Sequence, residues 1–311
     1  MADVGFVGLG NMGRVLAANL VASGHDVVAH DVAGAEGCPE GAVFAPDVRT
    51  VAADTDVVVC SLPDGGASEA VARAIAGASE RRAAHVVDTS TIGVEAARHV
   101  AGLLAADGIS YVDAPVSGGV AGAHARTLTV MYAGADEACA AVDVVLAGLS
   151  DRLHRVGDRP GLAQALKLAN NFLSATALAA TSEAVAFGVA AGLDMETMVN
   201  VLNAGSGQSA ATSDKFVNHV LTGRFASGFA NSLMAKDLRL YLGAVEAQGA
   251  PSVLGPVTAA VWERFETDEP GVDFTRIYPF VAEKACSGAP QPAAEDEDTV
   301  EVPGRSVPHT G

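Results

Sequence analysis

The chain has 311 residues, half of them apolar, with 34 glycines, few aromatics and a formal net charge of −18. That length accommodates two domains with substantial cores, and the charge argues against nucleic acid and anionic membrane surfaces as partners. Four scattered cysteines (Cys38, Cys60, Cys139 and Cys286) form no CxxC and have no histidine at metal-ligand spacing. They read as reduced thiols of a cytoplasmic protein, and neither a structural zinc nor a signal or transit peptide is expected.

The chain opens on a short apolar run, Asp3 to Val7, that stops at Gly8-Leu9-Gly10-Asn11-Met12-Gly13 and continues into a periodic segment from Arg14 to Ala22. Strand, glycine-rich turn and helix is the setting in which GxGxxG binds a dinucleotide. Gly8 permits the tight turn, Gly10 admits a pyrophosphate to the backbone, and Gly13 lets helix and strand pack closely. The phosphates then meet the N-terminus of the helix, where free N–H groups and the dipole favour anions. A second strand, Asp26 to His30, ends at Asp31, the position from which an acidic residue reads the adenosine ribose. No arginine stands near Asp31 to receive a 2′-phosphate, so the expected cofactor is NAD.

Strand and helix then alternate. Val57 to Pro63 and His85 to Asp88 are buried parallel strands running into loops. Open α/β sheets bind ligands at the C-terminal ends of their strands, which makes Leu62, Pro63 and Thr91 candidate cofactor contacts. Ile109 to Asp113 leads into Ala114-Pro115-Val116-Ser117-Gly118-Gly119-Val120. There small residues leave backbone N–H groups accessible and Ser117 adds a hydroxyl, a combination that suits a carboxylate. Thr127 to Ala133 reads as one more strand.

From Leu162 to Gly192 the absence of breakers predicts one long helix. Lys167, Asn170, Asn171 and Glu183 interrupt its apolar character, so it reads as a helix of the fold and not as a membrane span. Lys167 and Asn171, four residues apart, project from one face and can reach the same small molecule where two domains meet. Further helices are expected over Met195 to Asn203 and around Leu233 to Leu240. From Ser287 the composition turns to proline and acidic residues, as in a disordered tail. The expected architecture is thus α/β: a doubly wound Rossmann domain over 1–161, an all-helical domain over 162–286 and an acidic tail over 287–311.

Four of these segments, Gly8 to Gly13, Asp113 to Gly122, Lys167 to Asn171 and Lys236-Asp237, stand in the order found in β-hydroxyacid dehydrogenases, and the chain resembles that family from Val4 to about Ala285. The resemblance implies Lys167 as the catalytic lysine. Ser117, Gly118, Gly119 and Asn171 would hold the carboxylate and nearby hydroxyl of a small substrate. Lys236 would lie against cofactor and active site, with Phe229 and Asp237 close by. It also implies an NAD-dependent hydride transfer on a 3-hydroxyisobutyrate-like β-hydroxy acid, and assembly as a homodimer or homotetramer. Two positions depart from the family pattern: Arg126 replaces a usual glycine, and Ala210 replaces a bulky aromatic, which would widen the pocket. The rival readings are an imine reductase or short-chain semialdehyde reductase of the same fold, and a catalytically dead scaffold.

Overall fold

The computed structural model describes residues 2–284; the expected acidic tail, 287–311, lies outside the described residues. In chain order the first half comprises β1 (Asp3–Val7), α1 (Gly13–Ala22), β2 (Asp26–His30), β3 (Val43–Phe44), α2 (Val48–Asp54), β4 (Val57–Cys60) and α3 (Gly65–Ala76). There follow β5 (His85–Asp88), α4 (Val94–Ala106), β6 (Ser110–Asp113), β7 (Val116–Ser117), α5 (Gly119–His124), β8 (Thr129–Ala133), α6 (Asp136–Leu149) and β9 (Arg152–Gly157).

These strands form one sheet in the order β3-β2-β1-β4-β5-β6-β8-β7, with β9 paired to β8. The first six run parallel, as βαβ crossovers require. The far edge is mixed: β8 lies antiparallel to β6 and β7, and β9 returns parallel to β8. The β9 strand has no alternating apolar pattern in the sequence, because its burial alternates only weakly. Helices cover both faces. Phe6, Leu16, Leu20, Val142 and Leu146 fill one side of the sheet, and Val51, Ile75, Val100 and Leu104 fill the other. Burial on both faces is why β4 consists of Val57-Val58-Val59-Cys60 without a polar residue.

The second half is helical: α7 (Leu162–Ala190), α8 (Met195–Ala204), a π-helical stretch (Ala211–Val220), α9 (Asn231–Gln248), α10 (Gly255–Asp268) and α11 (Ile277–Lys284). Its core gathers on Trp262, Phe216, Phe265 and Leu178. By length and composition α7 could cross a membrane. In the structure, however, its face with Gln164, Lys167, Asn171, Thr181 and Ser182 is buried against other elements of the fold. A polar face matched by protein partners is the packing of a central helix in a folded domain.

Arg126 takes φ +56°, the left-handed region in which side chains are costly, and so the family's usual glycine there has a steric reason. Its guanidinium offsets the strain by donating to the carbonyls of Ala147 and Gly148 at the end of α6, at 2.9 and 2.8 Å, and to Ser23 Oγ at 3.0 Å.

Candidate active site

The glycine loop fits a pyrophosphate. A Cβ on Gly8 would lie 2.2 Å from the Ser61 carbonyl oxygen, and one on Gly13 would lie 1.9 Å from that of Gly8, so neither position admits a side chain. Gly10, in contrast, faces open space with nothing within 4 Å. No side chain caps α1, and no acidic residue lies in its first turn. The N–H groups of Arg14 and Val15 turn back to the Gly10 and Met12 carbonyls, which leaves those of Asn11, Met12 and Gly13 to an anion. At the end of β2, Asp31 accepts from Leu9 N at 2.5 Å and from Ala33 N at 2.7 Å. Each carboxylate oxygen retains a free lone pair for a ribose hydroxyl.

Three loops from the sheet converge with two helices. Lys236, on α9, donates from Nζ to the carbonyls of Thr91 at 2.6 Å and Pro63 at 3.3 Å. One lysine therefore joins both loops in which cofactor contacts are expected. Leu62 N donates to Ser90 Oγ at 2.7 Å, locking those loops to each other. Lys236 also pairs with Asp237 Oδ1 at 3.2 Å.

Lys167 is 7% exposed, in a chain whose other cations sit mainly on the surface. Burial lowers its pKa from 10.5 to about 8; the Asp237 carboxylate pulls it upward and the Lys236 ammonium pushes it further down. One turn along the same face, Asn171 donates from Nδ2 to Asp237 Oδ2 at 2.6 Å and accepts from Asn170 Nδ2 at 3.1 Å. Asn170 Nδ2 in turn lies 3.5 Å from Ser117 Oγ. The network Ser117–Asn170–Asn171–Asp237–Lys236 thus links the segment before α5 to α7 and α9, with Lys167 inside it. Gly118 and Gly119 adopt φ +132° and +67°, conformations that favour glycine, and lead into α5. Ser227 from the loop before α9 approaches Gly119, its carbonyl oxygen 3.6 Å from where a Cβ would stand. Phe229 sits two residues beyond, edge-on to Phe274 at 5.5 Å. It packs against the helical core.

Two participants are given no role by the sequence. Asn170 reads as the neighbour of Asn171, yet it bridges to Ser117. Gln164 is fully buried and bonds the loop that carries Thr91. Only its place three residues before Lys167, on the same helical face, could have marked it. A separate cleft of about 620 Å³, lined by Asn11, Arg14, Glu36, Cys38, His124 and Gly228 among others, borders the glycine loop. None of Lys167, Asn171 or Lys236 lines it, so it is distinct from the cluster around Lys167.

Known proteins resemble this chain over most of its length. Residues 3–157 fit the family model described as the NAD binding domain of 6-phosphogluconate dehydrogenase. Residues 161–281 fit the NAD-binding model of NADP-dependent 3-hydroxyisobutyrate dehydrogenase. The 2-(hydroxymethyl)glutarate dehydrogenase of Eubacterium barkeri is 36% identical over 268 residues, which is 85% of this chain and 88% of the relative. The chain belongs to the β-hydroxyacid dehydrogenase family. A solved member, the 3-hydroxyisobutyrate dehydrogenase of Mycobacterium tuberculosis with L-serine, superposes with a TM-score of 0.84 at 32% identity, covering 90% of this chain and 99% of that one. An imine reductase from Myxococcus stipitatus reaches a TM-score of 0.61 at 20% identity, a likeness of fold alone.

Proposed function

We propose that this β-hydroxyacid dehydrogenase oxidises a 3-hydroxy acid with Lys167 as the group that accepts the hydroxyl proton. NAD supplies the hydride acceptor. The protein's part is positioning and proton transfer. A lysine with a pKa of about 8 is partly neutral near physiological pH and can take the proton as the carbinol C–H bond breaks. Asn171, its amide oriented by Asp237 and Asn170, would hold the hydroxyl without competing as a base. Ser117 and the N–H groups of Gly118 and Gly119 would bind the carboxylate. The cofactor would lie along Gly8 to Gly13, with Asp31 at the ribose and Leu62, Pro63 and Thr91 along the nicotinamide side. Lys236 would tie that side to the substrate. The observation that carries this reading is the burial of Lys167 on one face with Asn171, beside the loops that Lys236 gathers.

3-Hydroxyisobutyrate and 2-(hydroxymethyl)glutarate, the substrates named for the relatives, share a hydroxymethyl group β to a carboxylate and differ in the side arm. Ala210, preceding the π-helical stretch, stands where the family resemblance puts a bulky aromatic, a change that would leave room for either arm, and both are proposed as substrates. Following NADH formation with each acid, its methyl ester and a simple alcohol tests the site. The acids should turn over and the esters should not, because hydrogen-bond donors left unpaired discriminate by roughly 10⁴. Comparable rates with an acid and its ester would remove the carboxylate role from Ser117, Gly118 and Gly119.

The division into a domain over 1–161 and another over 162–286 is part of the same proposal. So is a homodimer or homotetramer. On the outer face of α7, Leu166, Leu173 and Phe187 are exposed at 44%, 66% and 76%, with Ala180 completing a seven-residue spacing. Such an apolar stripe suits a helix of a second copy. The free thiols of Cys38, Cys60 and Cys139 suit a reducing compartment, and the cytoplasm is the proposed location.

A further inference from the structure

We propose that Gln164 is a positioning residue: its side chain fixes the backbone on either side of Thr91 to α7, and so sets where Lys167 stands relative to the cofactor loop. The proposal rests on the reading of Lys167 as the proton acceptor. Gln164 is wholly buried. Its Oε1 accepts from Ile92 N at 3.0 Å and Gly93 N at 3.1 Å, and its Nε2 donates to Ser90 O at 2.9 Å. Both acceptor lone pairs and one of the two amide donors are therefore spent on three links to one short loop.

The same residue is held from the other side. Its backbone N–H donates to Asp113 Oδ2 at 3.0 Å, so the carboxylate at the end of β6 caps the first turn of α7 in place of the N-cap residue, Gly161, which supplies no side chain. A leucine or methionine could fill this volume without desolvating an amide. Such a residue would, however, leave the buried Ile92 and Gly93 N–H groups and the Ser90 carbonyl unpaired, at about 1–3 kcal/mol each, so the amide contributes stability as well. What the three bonds add beyond that is geometry. They fasten the Ser90–Gly93 loop to α7 one helical turn before Lys167, about 4.5 Å along the axis.

The loop has other anchors, which makes the effect separable. Leu62 N holds Ser90 Oγ, and Lys236 Nζ holds the Thr91 carbonyl. Without the Gln164 links these anchors still present the loop to the cofactor, but its spacing from Lys167 relaxes. A misplacement of about 1 Å between reacting groups costs on the order of a hundredfold in rate.

The test uses the full chain, with Gln164→Met compared to wild type and to Lys167→Met. Gln164→Met is expected to lower kcat by roughly 10- to 100-fold while the NAD dissociation constant, from fluorescence titration, stays within about threefold. The acid limb of kcat/KM should move upward from about 8, because the dry setting of the amine between Asp237 and Lys236 is loosened. A kcat within twofold of wild type per folded molecule overturns the proposal, as does a reduced kcat with an unmoved limb. Should Gln164→Met not fold, Gln164→Asn carries the same test, since its amide is one methylene too short to reach all three backbone groups. An active Lys167→Met enzyme would refute the reading of Lys167 itself. An inactive Lys167→Met beside a fully active Gln164→Met would refute the positioning role alone.

Discussion

Oxidation by this enzyme should accelerate with pH as Lys167 loses its proton. Burial places that loss at about pH 8, so the neutral fraction rises from roughly a tenth at pH 7 to nine tenths at pH 9. The value of kcat/KM, which reports the free enzyme, should therefore climb about tenfold over that interval and then level off. Reduction needs the protonated amine and should fall through the same midpoint. Two substitutions should move the midpoint in opposite directions. Lys236→Met removes the neighbouring positive charge that pushes Lys167 down, so the limb shifts to higher pH. Asp237→Asn removes the carboxylate that pulls it up, so the limb shifts to lower pH, while the new side-chain carbonyl still accepts from Asn171. Initial rates of NADH formation over roughly pH 6 to 10 give the three midpoints, and any loss in absolute rate does not affect them. A midpoint that stays put in both variants, or an acid limb that persists in Lys167→Arg, would show that another group titrates.

Asp31 should make NAD the preferred cofactor, because a 2′-phosphate there would meet a carboxylate and no arginine. A preference in kcat/KM on the order of a hundredfold is expected, and equal efficiency with NADP would contradict it. At Arg126, glycine and alanine separate strain from capping. Both lose the bonds to α6, but only alanine retains the left-handed cost, so Arg126→Ala should be less stable than Arg126→Gly by about 1 kcal/mol. Denaturant unfolding that ranks alanine equal to glycine would deny the strain. Asp113 is raised by burial from 3.8 to about 6. Its folded-state pKa lies above the unfolded one, so the stability it confers below about pH 4 is lost as pH rises through 6. Asp113→Asn should lack that component, worth roughly 3 kcal/mol at most. Parallel stability–pH curves for the two proteins would remove it.

How far the sequence foretold this structure depends on what kind of signal each part carries. The glycine loop was legible because its constraint is steric and local: Gly8 and Gly13 face backbone oxygens that no Cβ can approach, and a sequence records that as glycine. Strands β1, β2, β4, β5 and β6 were legible because burial leaves valine-rich runs, unbroken in β4, whereas the two residues of β3 are too few to carry such a run. Of the mixed edge only β8 was, since β9 is half exposed and pairs only on one side with β8, so three of its six residues, Arg152, His154 and Arg155, are polar. Within the site, Lys167 and Asn171 could be paired by helical spacing alone, whereas the partner of Asn171 could not. Asp237 lies sixty-six positions away, and only the packing of α7 on α9 joins them. The same holds for Asn170 and Gln164. Asparagine and glutamine in a helix are most often solvated, and nothing local distinguishes an amide that points into a protein interior from one that points into water. Burial of Lys167 is likewise a property of the assembled fold. The residue type can be read from the chain, but its pKa of about 8 depends on Asp237 and Lys236 and on how completely water is excluded. In this enzyme, therefore, the sequence identifies which groups can react, while the tertiary contacts of α7 determine the state in which they do so.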